Sequence, residues 1–182
     1  MAFWDRFLDQ TKKEFTARTR LGAILLESLL FVVLIPYLLI LLSKMEYGRI
    51  NFEFTLGTLL CMVFAIAGLT LGLWAVWAQF SQAHGTPVPL MATKKLLTTG
   101  PYALCRNPMA LGTMIMYLAI AIMMKSWLAI IAAATFACGL SLFIKLFEEK
   151  EMIIRFGQDY LLYKENTPFL IPRLNFDAWR HN

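Results

Sequence analysis

From Leu21 to Leu42 the chain runs 22 residues with Glu27 as its only charged side chain. At about 1.5 Å per helical residue that stretch is roughly 33 Å long, enough to cross the roughly 30 Å hydrocarbon core of a bilayer. Three further apolar runs follow, over residues 55–80, 108–124 and 127–147. The chain is 59% hydrophobic and 16% charged, whereas a soluble domain has about 45–50% and about 25%. The excess sits in long runs, so it indicates membrane spans rather than a larger soluble core. The expectation is an all-α integral membrane protein, one domain over residues 1–182, with about four transmembrane helices.

The runs differ in character. Pro36 lies inside the first and predicts a kink. Glu27 is a carboxylate within a span, which by default suggests a functional role. The second span carries Gly68-x-x-x-Gly72, a spacing that lets helices approach closely, and Trp74 and Trp77 near its end suit headgroup level. The third run is only 17 residues, about 25 Å, and so is undersized. Lys125-Ser126 predicts a tight turn into the fourth run, whose Ala129, Ala132, Ala133, Ala134, Ala137 and Gly139 offer a small-residue packing surface. Beyond it, Met152, Phe156, Tyr160 and Tyr163 recur at helical spacing, predicting an amphipathic helix broken at Gly157. Residues 166–172 read as a turn and an extended segment. At the other terminus, Phe3, Trp4, Phe7 and Leu8 alternate with charges and precede Lys12, Lys13, Arg18 and Arg20. That pattern suits a surface-lying amphipathic helix, and no cleavable signal peptide is expected.

With four spans, the N-terminus, the 81–107 loop and the segment from Lys145 onward share one side of the membrane. That side carries 14 of the 17 Lys and Arg residues. The positive-inside rule then makes both termini and the central loop cytoplasmic, in a plasma (inner) membrane, with the C-terminal helix cytoplasmic too. Cys61, Cys105 and Cys138 have no metal-ligand spacing and read as free thiols, and no metal site is expected. The basic residues follow the membrane rule rather than forming an aromatic-interleaved patch, so no nucleic-acid partner is expected.

The chemistry-bearing stretch is the polar block from Lys94 to Gly112. Asn107-Pro108 has the residue types of an N-cap and a first helical position. The third span should start there, its positive dipole end facing outward to favour anions. Arg106 adds a fixed charge and a bidentate fork. Gly100-Pro101 turns the chain so that Tyr102 comes close. Glu148 and Glu149 stand where the fourth run ends, with Lys145 placed to pair with either. Because the third and fourth spans form a tight hairpin, Arg106-Asn107 should return beside Glu148-Glu149.

The stretch LLTTGPYALCRNPMALG, followed by a hydrophobic hairpin and EEKEMIIRFGQDYLLYKENTPFLIP, resembles the isoprenylcysteine carboxyl methyltransferase family and, more broadly, membrane methyltransferases that include phospholipid N-methyltransferases. The pattern falls on Gly100, Tyr102, Arg106, Pro108, Gly112, Glu148, Glu149, Phe156, Gly157, Tyr160, Tyr163 and Pro172, and covers about residues 85–173. Two positions depart from it. Asn107 stands where the family has His, and Ala110 where it has a second Tyr. Asn keeps hydrogen-bonding capacity but cannot accept a proton near neutral pH.

The resemblance implies methyl transfer from S-adenosyl-L-methionine to a lipid-like or otherwise amphiphilic small molecule. The cofactor block would comprise about residues 94–112 and 148–173. Gly100, Tyr102, Arg106, Asn107, Pro108, Glu148 and Glu149 would bind the cofactor, with Arg106, Asn107 and Glu148 nearest the chemistry. Arg106 would orient either an acidic acceptor or the cofactor's carboxylate. The alternatives are an NADPH-dependent sterol-reductase-like enzyme and a non-enzymatic scaffold that retains the fold. The sequence leaves the acceptor and the oligomeric state open.

Overall fold

A computed structural model describes residues 16–45, 55–82 and 95–172. The expected N-terminal amphipathic helix, most of the first loop, the start of the central polar loop and the last ten residues lie outside these. Every regular element among the described residues is a helix. Three helices are long and apolar enough to cross a membrane, Arg18–Lys44, Leu56–Gln82 and Trp127–Phe156, and a shorter apolar helix covers Pro108–Met123.

The first span is built from α1 (Ala17–Ser28), a π-helical turn (Leu29–Leu34) and α2 (Ile35–Lys44). Its sequence explains the irregularity. Pro36 has no N–H to give and its ring crowds the carbonyl one turn earlier. A wider π turn relieves this, and the Ile35 N–H reaches back five residues to the Leu30 carbonyl. The Phe31 carbonyl would then pair with position 36, where proline offers nothing. The phenol of the fully buried Tyr117 donates to it instead, at 2.6 Å. At the position of the expected kink, Pro36 thus comes with a repaired π turn.

The second span is α3 (Thr55–Gln82). Its inner face is made of small residues, with Gly68, Ala75 and Ala78 buried. Leu59, Phe64, Ile66, Leu73 and Trp77 point outward. This is the distribution expected in lipid, where close backbone approach holds helices together and large apolar groups face the acyl chains. A one-turn helix, α4 (Pro101–Leu104), follows, and then α5 (Pro108–Met123) packs along α3. The contact is closest at Gly68 and Gly112. A Cβ on Gly68 would lie 2.5 Å from the Gly112 carbonyl oxygen. Gly112 is therefore a packing residue, and Gly68-x-x-x-Gly72 is its partner surface.

At about 24 Å, α5 is as short as expected. A turn at Met124 and Lys125, with Lys125 at φ +53°, reverses the chain. Ser126 caps α6 (Trp127–Phe143) by accepting the Ala129 N–H at 3.1 Å. A second π turn (Ile144–Glu148) joins α6 to α7 (Glu149–Phe156) without interruption. Of the expected small-residue surface only Ala129 and Ala133 are buried, against Leu39, Met116, Tyr117 and Ala121, while Ala134 and Gly139 are exposed. Gly157, at φ +53°, breaks the helix as expected, and α8 (Gln158–Asn166) turns back towards the bundle. α2 packs on α5 and α6, whereas α1 has no comparable contact with the other spans. A cavity occupies the space between α1 and the rest.

Candidate functional site

The cavity has a volume of about 490 Å³, within the usual range for small-molecule sites. Ile24, Phe31, Leu69, Leu73, Val76, Leu140 and Phe143 make one half of it apolar. Tyr102, Arg106, Asn107, Glu148, Glu149 and Tyr160 form a polar end.

Arg106 anchors that end. Its Nη1 donates to Glu149 Oε1 at 2.6 Å, and each side chain retains only 9% of its exposure. The other Glu149 oxygen accepts from Lys164 Nζ at 2.6 Å. Nη1 also lies 3.5 Å from the Tyr160 hydroxyl, while the buried Nε has no partner among the described residues. Sequence reasoning correctly brought Arg106 back to the Glu pair. It missed Lys164, which reaches Glu149 from across the Gly157 break, a relation that no periodicity records. The expected Lys145 pairing does not form. Lys145 instead places its ammonium 4.8 Å from the centroid of the Phe169 ring, over which the Arg106 guanidinium also lies at 5.7 Å.

This arrangement divides the Glu pair. Glu149 is held by two cations, whereas Glu148 makes no hydrogen bond or ion pair among the described residues. One turn of helix on, Glu151 and Arg155 form a pair at 3.1 Å, and both line the cavity. Sequence reasoning did not single them out, although their i,i+4 spacing was available as a signal.

Pro108 takes the first helical position as expected, and Asn107 sits at the N-cap. Its side chain does not cap, however. Asn107 Nδ2 donates to the Phe169 carbonyl at 3.0 Å, and the Arg106 N–H donates to the Pro168 carbonyl at 2.9 Å. The C-terminal segment therefore crosses the polar end as a strap and captures the amide that would otherwise cap α5. Gly100, at φ +61°, makes the turn into Pro101 and does not line the cavity. It delivers Tyr102, whose hydroxyl accepts from Gln79 Nε2 at 2.6 Å. The Tyr102 carbonyl accepts from the Tyr163 hydroxyl at 2.7 Å. Burial pushes the Tyr102, Tyr160 and Tyr163 phenols and the Cys105 thiol above their ordinary pKa values. All four stay protonated at neutral pH. They serve as hydrogen-bonding groups, and Cys105 is not a thiolate nucleophile.

The phospholipid methyltransferase family model matches residues 54–159, more than half of the chain. This chain belongs to the phospholipid methyltransferase family. The match runs from the start of the second span through Arg106, Glu148 and Glu149 and into α8, and so contains most of the polar end. The first span and the strap lie outside it. No curated protein matches the sequence. Membership and the three long apolar helices make the protein a multi-pass membrane protein of a methyltransferase family.

Proposed function

We propose that the protein transfers a methyl group from S-adenosyl-L-methionine to an amphiphilic acceptor held in the apolar half of the cavity. The observation that carries this reading is the form of that cavity, whose polar end retains unused binding capacity of both signs. Arg106 Nε is buried without an acceptor and suits the cofactor's carboxylate. Glu148 has no partner among the described residues and suits its ammonium, its sulfonium or its ribose hydroxyls. Tyr102, Asn107 and Pro108 form the surrounding wall. Glu149, held by Arg106 and Lys164, fixes the guanidinium in place and is a positioning residue.

When bound, S-adenosyl-L-methionine supplies an electrophilic methyl group on a positively charged sulfur. The protein's tasks are to align the acceptor and exclude water. The walls from Ile24 to Phe143 exclude water, and α1, standing off from the other helices, leaves a side opening for an acyl or prenyl chain. Asn107 contributes hydrogen bonding and holds the strap; it moves no proton. The placement of 14 of the 17 basic residues supports a cytoplasmic polar end in a plasma (inner) membrane, with both termini on that side. Family membership favours this reading over a nicotinamide-dependent reductase.

Titration calorimetry with S-adenosylhomocysteine in detergent tests the proposal. Wild type should bind in the micromolar range or tighter, and Glu148→Gln should weaken binding about tenfold or more, as loss of a charge-assisted bond predicts. Absence of binding by folded wild type refutes it.

A further inference from the structure

Gln79 has so far been only the donor to Tyr102. It stands on α3, next to the buried Ala78, and lines the cavity together with Tyr102. Its Nε2 is used, donating to the Tyr102 hydroxyl at 2.6 Å. Its Oε1 is buried and has no partner among the described residues. A buried amide oxygen without a donor is costly, and folded proteins keep few of them. Tyr102 carries the complementary group. Its side chain is more than nine-tenths buried, its N–H donates to the Thr99 carbonyl and its own carbonyl accepts from the Tyr163 hydroxyl. Because the Tyr102 hydroxyl accepts from Gln79, its proton is left to give, and that proton has no acceptor among the described residues. Burial keeps the phenol protonated. The two side chains therefore present an acceptor next to a donor. Leu97 and Met109 pack against Ala75, Ala78 and Tyr102 and also line the cavity, so the polar pair is framed by apolar groups.

Resting on the methyl-transfer reading, we infer that Gln79 and Tyr102 read the adenine edge of the cofactor, with Gln79 Oε1 accepting from the 6-amino group and the Tyr102 hydroxyl donating to N1. Adenine carries a donor, the exocyclic amine, directly beside an acceptor, N1, and a base is read in this way through hydrogen bonds to that edge. The Gln79–Tyr102 pair offers the complementary acceptor and donor. The other polar parts of the cofactor match it less well. Its carboxylate only accepts and its ammonium only donates, while the ribose hydroxyls belong to no flat, weakly polar ring that Leu97 and Met109 would suit. The amino-acid end has its own groups in Arg106 Nε and Glu148. The cofactor is then held at two separate places, and the base sets which nucleoside is accepted. A site built to hydrogen-bond its ligand rejects an analogue that lacks the matching group, because the buried protein atom is left unpaired. Gln79 is thus a specificity-determining residue supplied by the second span, outside the stretch of about residues 85–173 that carries the sequence resemblance.

The test measures equilibrium binding to the full-length protein in lipid nanodiscs. The ligands are S-adenosylhomocysteine, its analogue lacking the 6-amino group, and its 1-deaza analogue, in which carbon replaces N1. Wild type should bind each analogue about tenfold more weakly than S-adenosylhomocysteine, the effect of one buried hydrogen bond. Gln79→Leu should weaken S-adenosylhomocysteine about tenfold and leave the analogue without the amino group within about twofold of wild type, since neither member of that pair can form the bond. Tyr102→Phe should do the same with the 1-deaza analogue. Binding of the matched analogue also reports that each variant is folded. A merely structural role would weaken all three ligands in proportion. The inference is overturned if wild type binds the three ligands alike, or if folded Gln79→Leu and Tyr102→Phe lose all three in proportion. Should a variant fail to fold, the wild-type comparison alone decides. In each overturning case S-adenosylhomocysteine still binds and methyl transfer stands. Wild type that binds none of the three removes both readings.

Discussion

Replacing Gly112 by Ala tests what holds the site in shape. The added methyl would overlap the Gly68 carbonyl oxygen and lie 2.7 Å from the Gly72 nitrogen. Ordinary contact begins near 3.4 Å, so the nitrogen contact alone is about 0.7 Å too close. These are backbone atoms and cannot rotate away, so α5 must move off α3. A gap of about 0.5–1 Å forfeits a quarter to a half of each dispersion contact, and α3–α5 is the most extensive interhelical contact among the described residues. Overpacking of this kind costs about 1–3 kcal/mol, which for a chain of this length is a fall in melting temperature on the order of 5 °C. Gly139→Ala is the control. Nothing lies within 4 Å of its would-be Cβ, and Ala is the better helix former by roughly 1 kcal/mol, so it should be neutral or stabilising. Thermal unfolding in one detergent compares the two. Equal melting temperatures for Gly112→Ala and wild type, or an equal fall for Gly139→Ala, would refute the reasoning.

Three further substitutions probe other parts of the structure. Glu149→Ala should cost about 3–5 kcal/mol by leaving the buried Arg106 guanidinium without its partner, whereas Arg106→Met with Glu149→Leu should be much milder; chemical unfolding of the set checks this. Tyr117→Phe should cost about 1–3 kcal/mol because the Phe31 carbonyl loses the donor that replaces proline's missing N–H, and faster local amide exchange in the first span should accompany it. Gly157→Ala has open space for its methyl but a φ of +53° and ψ of −124°. It should therefore lose about 1–3 kcal/mol through backbone strain alone, seen in the same unfolding assay.

The spans, the hairpin and the Gly157 break were legible because each rests on a local signal: an apolar run longer than a soluble core needs, a turn pair, or a glycine. The return of Arg106 to the Glu pair was legible because a short hairpin leaves few places for its two ends. What remained hidden involves rearranged hydrogen bonds or long-range partners. Pro36 announces an irregularity, but neither the π turn nor the Tyr117 repair, 86 residues away, can be read from the run itself. The π turn at Ile144–Glu148 inserts a residue and rotates the following face by about 100°, so an unbroken helical period mispoints Lys145. Asn107 carries a strong capping signal, yet a strap more than 60 residues distant takes its amide. The separate states of Glu148 and Glu149 depend on Lys164, which shares no pattern with them.

The shortness of α5 has an energetic consequence for whatever it serves. Its far end is the turn at Lys125, whose ammonium can reach the headgroups on that side. Measured from there, about 24 Å of helix stops roughly 6 Å short of the opposite edge of a 30 Å hydrocarbon layer. Arg106, continuing from that end, reaches Glu149. The polar end of the cavity is thus recessed, with its floor below the plane where lipid chains begin. In the proposed methyl transfer, an amphiphile then presents its reactive head by sliding sideways at nearly constant depth. Each methylene that stays in hydrocarbon spares about 0.8 kcal/mol of lifting work. A soluble enzyme acting on the same molecule would have to supply that work from its own binding energy.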